Sequence, residues 1–329
     1  MLRSTMWVGF QRPKDKDYGV QGLRRLYLIE GRKFLLRLAV AATILPTFGC
    51  VLRREARIQP SPLPPAALEA SLAELVAKLN ASSQSVHTLT ATVDLQPTAG
   101  SIYSGVIKEY QDVRGFILAQ RPSMIRVLGQ APLLRTDIFD MVSSGEEFHL
   151  YIPPLDKFIV GKTTFRQPVK NSLENLRPQH ILGALLVLPL DPANEKWLME
   201  EAEEGGHRFY IVLIVEAADS GELRLKRKAW FDRANLELTR MQFYEGDGLY
   251  VEDVHYSDYH DFQGITYPSR IEVVRPIEDY RLTISILKSS WSPTFNQPIN
   301  AEKFVLSQPP GTKLVDLSAN AQQEGPRGE

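Results

Sequence analysis

The chain has one cysteine, Cys50, and six histidines, so thiol and imidazole chemistry can sit at only a few places. The densest set of acid–base or metal-ligating groups is Asp253-Val-His255-Tyr-Ser-Asp258-Tyr-His260-Asp261. Side chains an even number apart share one face of a strand, so Asp253 and His255 go together while Asp258 and His260 face the other way. No three of these groups converge at zinc distances, and the segment reads as the polar face and turn of a tyrosine-rich strand. A Gly-x-Ser-x-Gly elbow, a P-loop and a dinucleotide fingerprint are absent from the sequence. Gly246-Asp-Gly248 is a hairpin turn, because the residues after it read as strand and a nucleotide site would need a helix there. Arg224, Lys226, Arg227 and Lys228 alternate with Leu223, Leu225 and Ala229 and read as a solvated strand face; the alternative is a phosphate or headgroup contact. With Cys50 placed elsewhere, no thiol is left for nucleophilic catalysis. The sequence reads as a binding protein, not an enzyme, with no cofactor and no metal.

Cys50 stands at a junction. Residues 1–49 carry nine basic and three acidic side chains, a net of +6, whereas residues 50–329 carry 29 and 36, a net of -7. After the arginines comes the apolar run Leu38 to Leu45, then Pro46-Thr-Phe-Gly49-Cys50. Spanning a bilayer takes ~20 apolar residues, so a run this short fits the apolar region of a signal peptide better than a membrane span. A small residue directly before the cysteine resembles a bacterial lipobox, whose chemistry is diacylglycerol transfer to the thiol, cleavage before it and acylation of the new amino terminus. Thr47 stands where lipoboxes usually have Leu. The alternative is a buried or unmodified free thiol. The expectation is a lipoprotein signal peptide over 1–49 and a lipidated Cys50. Pro60, Pro62, Pro64 and Pro65 then make 50–65 a tether, which at ~3.1 Å per residue spans on the order of 45 Å.

Composition bounds the remainder. With 43% apolar and 23% charged residues, the chain is not collagen-like, a coiled coil or fully disordered. Its net charge of -1 lacks the basic excess of a nucleic-acid-binding protein.

The elements that must position any site follow from periodicity. Leu68, Leu72, Leu75, Val76 and Leu79 share one helical face, which predicts a helix over 66–80 that opens after Pro65 and closes at Asn80. From Thr88 to Lys162 the period becomes two, with strands around Thr88 to Leu95, Ile102 to Tyr110, Gly115 to Ala119, Met124 to Leu128, Ile138 to Val142 and Phe148 to Ile152. Between 171 and 205 the pattern reads as short helices: 171–176, Pro178 to Leu188, and Pro192 to Glu204. The middle one is apolar nearly all round and must be covered on every side. Strands resume around Arg208 to Glu216, Leu223 to Phe231, Leu236 to Tyr244, Tyr250 to Tyr259, Ile265 to Val274 and Tyr280 to Leu287. A short strand ends the domain, and a polar tail over 318–329 is expected to be disordered. The fold class is mainly β (α+β). A large curved antiparallel sheet of eleven or twelve strands forms a half-open barrel, with an N-terminal helix and a central helical lid.

Helix, curved sheet, apolar helical insert, more strands and the closing Phe304-Val-Leu-Ser-Gln-Pro-Pro-Gly311 together resemble the lipoprotein carrier and receptor superfamily of the Gram-negative outer-membrane lipoprotein-sorting (Lol) pathway. Arg121-Pro-Ser-Met-Ile-Arg126 is similar to the family's Arg-Pro-x-x-Phe-Arg strand start. Asp140 to Gly145 with Phe148-His-Leu-Tyr-Ile-Pro153 is similar to one of its hairpins. The resemblance covers residues 66–317. It implies a hydrophobic cavity between sheet and lid that takes lipid or the acyl chains of a lipoprotein, lined by Ile181, Leu182, Leu185, Leu186 and Leu188 of the lid and by Leu213, Leu225, Met241 and Ile284 of the sheet. It also implies a periplasmic carrier protein as partner and, through Cys50, a receptor-like member lipid-anchored at the periplasmic face of the outer membrane. Leu133 and Leu134 stand where the receptor has an apolar membrane-approaching loop; ordinary core residues at a strand end are the equal alternative. At 280 residues from Cys50 onward the chain is longer than the family's usual size, which leaves another lipid or a lipidated partner open as ligand. The other function class is a structural or assembly lipoprotein that recruits a protein partner, with α-helical residues 181–188 packed in a solid core. Cys50→Ser is expected to abolish labelling by radioactive palmitate and to release the protein into the soluble fraction; retained labelling would refute lipidation at this thiol.

Overall fold

Helix α1 begins where its caps dictate. The Ser71 amide donates to Glu74 Oε2 at 2.7 Å and the Glu74 amide to Ser71 Oγ at 3.3 Å, a reciprocal capping box. From it α1 runs Leu72–Ser85 and buries Leu75 and Leu79. The start expected near residue 66 is thus displaced to the cap, and the Leu68 amide bonds instead to the Arg233 carbonyl at 2.7 Å. Asn80 does not close the helix; its side chain lies within α1 and accepts from the Leu190 amide at 3.0 Å.

The computed structural model describes residues 66–99, 108–109, 113–131, 134–163, 177–218, 221–246, 248–289 and 292–317. All of these belong to one compact unit, Ser61–Glu329. The expected signal peptide, Cys50, the tether, most of the strand at Ile102 to Tyr110, the helix at 171–176, Leu133 and the tail lie outside the described residues.

Among the described residues, seven strands precede the helix at Pro178–Leu185: β1 (Thr88–Ala99), β2 (Lys108–Glu109), β3 (Val113–Gln120), β4 (Met124–Gln130), β5 (Asp137–Ser143), β6 (Glu147–Ile152) and β7 (Lys157–Lys162). Helix α2 spans Pro178–Leu185. After it come β8 (Glu195–Glu204), β9 (His207–Ala217), β10 (Leu223–Asp232), β11 (Leu238–Glu245), β12 (Leu249–Phe262), β13 (Ile265–Arg275), β14 (Tyr280–Ile286), β15 (Thr294–Phe295) and β16 (Lys313–Asp316). They form one sheet in the order β16, β7, β6, β5, β4, β3, β1, β14, β13, β12, β11, β10, β9, β8, with β2 and β15 also paired to β1. Two runs of hairpins are thus joined where β1 meets β14 (Val93 opposite Ile286). The sheet is large, curved and unclosed.

Three features differ from the sequence reading. The sheet is mixed, because β16 lies parallel to β7 with Lys313 opposite Lys157. Sixteen strands are present among the described residues, not eleven or twelve. Residues Glu195–Glu204, expected as helix, are the edge strand β8. Their helix-forming side chains are overridden because β9 is buried at Ile211, Val212, Ile214 and Val215 on both of its faces and needs a neighbour. The glutamates on β8 suit an edge that must not recruit further strands.

Alternation places one side of each long strand except the exposed edge strand β8 in a single core with Leu75 and Leu79 of α1 and Ile181, Leu182 and Leu185 of α2. Curvature is aided where glycine lets an aromatic ring lie on the backbone of the next strand. Gly129 of β4 faces Phe139 of β5, and a Cβ there would stand 2.4 Å from the ring. Gly129→Ala is therefore expected to destabilise the protein by about 1–3 kcal/mol, read as a lowered denaturation midpoint; an unchanged midpoint would refute the tight packing.

Candidate functional site

Helix α2 has almost no polar face, and its eight residues settle onto β4, β5 and β13. Ile181, Leu182, Leu185 and Leu186 are buried and share the core with Met241 and Ile284. Leu188, just past the helix, is 45% exposed. Leu213 and Leu225 are not under the lid. Leu213 alternates with the core residues Val212 and Ile214 and pairs across to Leu198, which is 58% exposed, so it faces the opposite side of the sheet. Leu225 pairs with Val215 on that same side. A register shift between Leu225 and Arg227 changes the strand's phase there, and Arg227, expected in a solvated row, turns inward and is buried.

The inward turn of Arg227 has a clear use. Where α2 ends, its carbonyls point into the interior and must find donors. Arg121 Nη2 donates to the Val187 carbonyl at 2.5 Å and also to the carbonyl and hydroxyl of Ser83 on α1, both at 3.2 Å. Tyr267 Oη donates to the Leu185 carbonyl at 2.7 Å. Arg227 donates to the carbonyls of Leu188 at 3.1 Å and Pro189 at 3.2 Å, while Glu195 of β8 neutralises it at 2.9 Å. Cations at a helix C-terminus complement its dipole as well as its free carbonyls. Burial lowers the Arg121 pKa from the ordinary guanidinium value.

The other end of α2 is held by charge. His180 Nδ1 lies 2.7 Å from Glu252 Oε2 on β12, and Arg275 of β13 bridges Glu252 at 3.1 Å to Glu278 at 2.8 Å. Burial works against the Arg275 charge, but Glu278 and Glu252 together raise its pKa. Gln179 completes the fastening through the Ser123 carbonyl at 3.1 Å and Ser143 Oγ at 2.8 Å.

Two spaces adjoin this clamp. Beneath α2 is a cavity of about 20 Å³ lined by Arg121, Leu185, Tyr256, Tyr259 and Tyr267 among others, room for one water. Beside it, a groove of about 280 Å³ opens between α1 and the sheet, lined by Leu79, Ala81, Phe231, Leu236, Leu238, Tyr259 and Ile265. Ser82 and Tyr259 border both, so they are the wall between groove and cavity. Tyr259 Oη is fixed on the Leu238 carbonyl at 2.6 Å. A third space of about 380 Å³ lies over β1, β3 and β4, lined by Phe116, Leu118, Leu128, Arg126 and Lys303.

The acidic and imidazole cluster is structural. Asp253 accepts from Arg240 Nε at 2.7 Å and Nη2 at 2.5 Å, and His255 Nε2 lies 3.2 Å away. Although burial opposes ionisation, these partners hold the Asp253 pKa well below the usual carboxylate value. Burial, and then the hydrogen bond to Asp253, pushes Tyr250 up to about 12. Asp258 has a φ of 55°, and Tyr256 and Tyr259, three residues apart, both pack on the core, which strict alternation does not anticipate. Among the described residues no group of three or more His, Cys, Asp or Glu is placed to hold a metal ion. Leu134, in the turn between β4 and β5, is 79% exposed. The sequence reading gave Arg121 only as part of a family-like strand start and the tyrosines only as strand residues, not as site residues; the inward position of Tyr267 beside Ile271 and Val273 was the available signal.

No family model matches the sequence, and no curated protein matches it. Among solved structures, the chain is similar to a LolA superfamily protein from Nitrosomonas europaea, at 11% identity and a TM-score of 0.43, over 70% of this chain and 97% of that one. A DUF1329 family protein from Desulfovibrio piger is similar at 13% identity and a TM-score of 0.46, over 70% and 94%. A domain named for outer membrane lipoprotein sorting, from Vibrio parahaemolyticus, is similar at 10% identity and a TM-score of 0.45, over 70% and 94%.

Proposed function

We propose that the protein is an envelope lipoprotein, anchored through Cys50 at the periplasmic face of the outer membrane, that binds lipid or the acyl chains of a lipoprotein. The observation that carries this reading is the apolar groove between α1 and the sheet, which shares Ser82 and Tyr259 with the small cavity beneath α2. Its volume of about 280 Å³ is near the ~300 Å³ lower end of small-molecule sites, and a chain that entered it would extend under α2 as that helix lifts. Ile181, Leu182, Leu185 and Leu186 would then exchange their contacts with the sheet for contacts with the chain. Residues 66–317 form the binding domain, and a periplasmic carrier delivers or receives the cargo.

A second reading has its own support. The space beneath α2 is only about 20 Å³, so the helix sits in a solid core, as it would in an assembly lipoprotein whose sheet recruits a protein partner.

Binding of a fluorescent fatty acid, with mass spectrometry of lipid extracted from the purified protein, separates the two. The lipid-binding reading expects both signals, and an absence of both would sink it. Ala81→Trp, at an exposed position of α1 that borders the groove, is expected to weaken fatty-acid binding by about tenfold, or ~1.4 kcal/mol, without changing the far-UV spectrum. Tyr267→Phe removes one donor from the end of α2. Amide exchange of α2 should accelerate about three- to tenfold; an unchanged rate would show that this bond does not hold the helix down.

A further inference from the structure

Three tyrosines meet beneath α2, and one of them lacks what the other two have. Tyr267 donates to the Leu185 carbonyl at 2.7 Å and Tyr259 to the Leu238 carbonyl at 2.6 Å. Tyr256 lines the same small cavity, is buried, and its hydroxyl has no hydrogen-bond partner among the described residues. A buried hydroxyl without a partner costs free energy that phenylalanine would not. The aromatic ring alone would fill the core equally well, so packing gives no reason for the oxygen. A water in the cavity can satisfy it, and anything that displaces that water must offer an acceptor in its place.

The position of Tyr256 restricts what the acceptor is. An acyl chain lying in the groove reaches Tyr256 by passing Tyr259, which borders both spaces. Hydrocarbon offers no acceptor. The carbonyl at the head of an acyl chain does. Burial, reinforced by the neighbouring Tyr259, Tyr267 and Glu252, holds the Tyr256 pKa well above the ordinary phenol value, so the group stays a neutral donor.

We propose that Tyr256 Oη is the specificity-determining donor of the lipid site, giving its hydrogen bond to the carbonyl oxygen at the head of an acyl chain. The inference rests on the acyl-binding reading above and names the feature of the chain that the site selects. It concerns the cavity end of the site, whereas the groove supplies unselective apolar contact.

Competition against a bound fluorescent fatty acid, with the full chain, tests it by comparing monopalmitoyl glycerol with its hexadecyl ether, which keeps the chain and headgroup and lacks the carbonyl. The wild-type protein should prefer the ester by about three- to tenfold, the range of one hydrogen bond. In Tyr256→Phe that preference should vanish through weaker ester binding, with ether binding retained. Equal competition by ester and ether in the wild-type protein overturns the proposal without any variant. A preference that survives in Tyr256→Phe overturns it as well, while leaving acyl binding intact. Failure of the wild-type protein to bind the fluorescent fatty acid at all removes the acyl-binding reading and this inference together.

Discussion

The backbone carbonyls of Leu185 and Val187 leave helix α2 against the curved sheet, where each must meet a donor or bear a desolvation cost of about 1–3 kcal/mol. Nearly everything distinctive about the interior answers that requirement. Arg121 enters from the end of β3, Tyr267 from β13 and Arg227 from β10, three strands far apart in sequence that converge on one turn of chain. The bulge before Arg227 is part of the same solution, since an unbroken alternation would have turned that guanidinium outward and left two carbonyls unpaired. Glu195 then has to stand beside Arg227, which ties the start of the edge strand to the helix it follows.

The two ends of α2 are fastened by different physics. At its C-terminal end, donors satisfy carbonyls, and two of those donors are the cations Arg121 and Arg227, the latter paired with Glu195. At its N-terminal end, His180 joins a buried network in which Glu252 and Glu278 share Arg275. Removing one member of such a network strands the others, at a cost of about 3–5 kcal/mol, and each carbonyl bond from a charged donor contributes about 1.5–3 kcal/mol. The C-terminal end is the side that borders Tyr259 and the groove.

Much of this layout was legible from periodicity, because a strand's alternation and a helix's stripe report the same buried face that the sheet later uses. Leu75, Leu79, Ile181 and Leu185 declared themselves in that way. What stayed hidden depended on long-range pairing. The segment Glu195–Glu204 carries helix-forming residues and becomes a strand only because β9 lacks a partner. Leu225 and Arg227 exchange roles through a register shift that has no glycine or proline to mark it. Asn80 looked like a stop and is an acceptor for the chain leaving α2. The site suffered more than the fold, since Leu213 and Leu225 were assigned by apolarity alone, and the tyrosines that shape the cavity were counted as ordinary strand residues.

A lid that packs solidly and a site that binds acyl chains are compatible on energetic grounds. Lifting α2 would expose Ile181, Leu182, Leu185 and Leu186, which at ~1.5–3 kcal/mol each amounts to on the order of 6–12 kcal/mol. An acyl chain that buries about a dozen methylenes in their place returns roughly 10 kcal/mol at ~0.8 each. For a chain of that length the apolar exchange is therefore nearly neutral. Net preference between closed and loaded states must then come from the polar terms: the carbonyl bonds of Arg121, Tyr267 and Arg227 on one side, and whatever acceptor the incoming lipid presents on the other. The small number of buried polar groups in an otherwise apolar interior, and not the size of the apolar surface, sets what this site would accept and how readily it would let go.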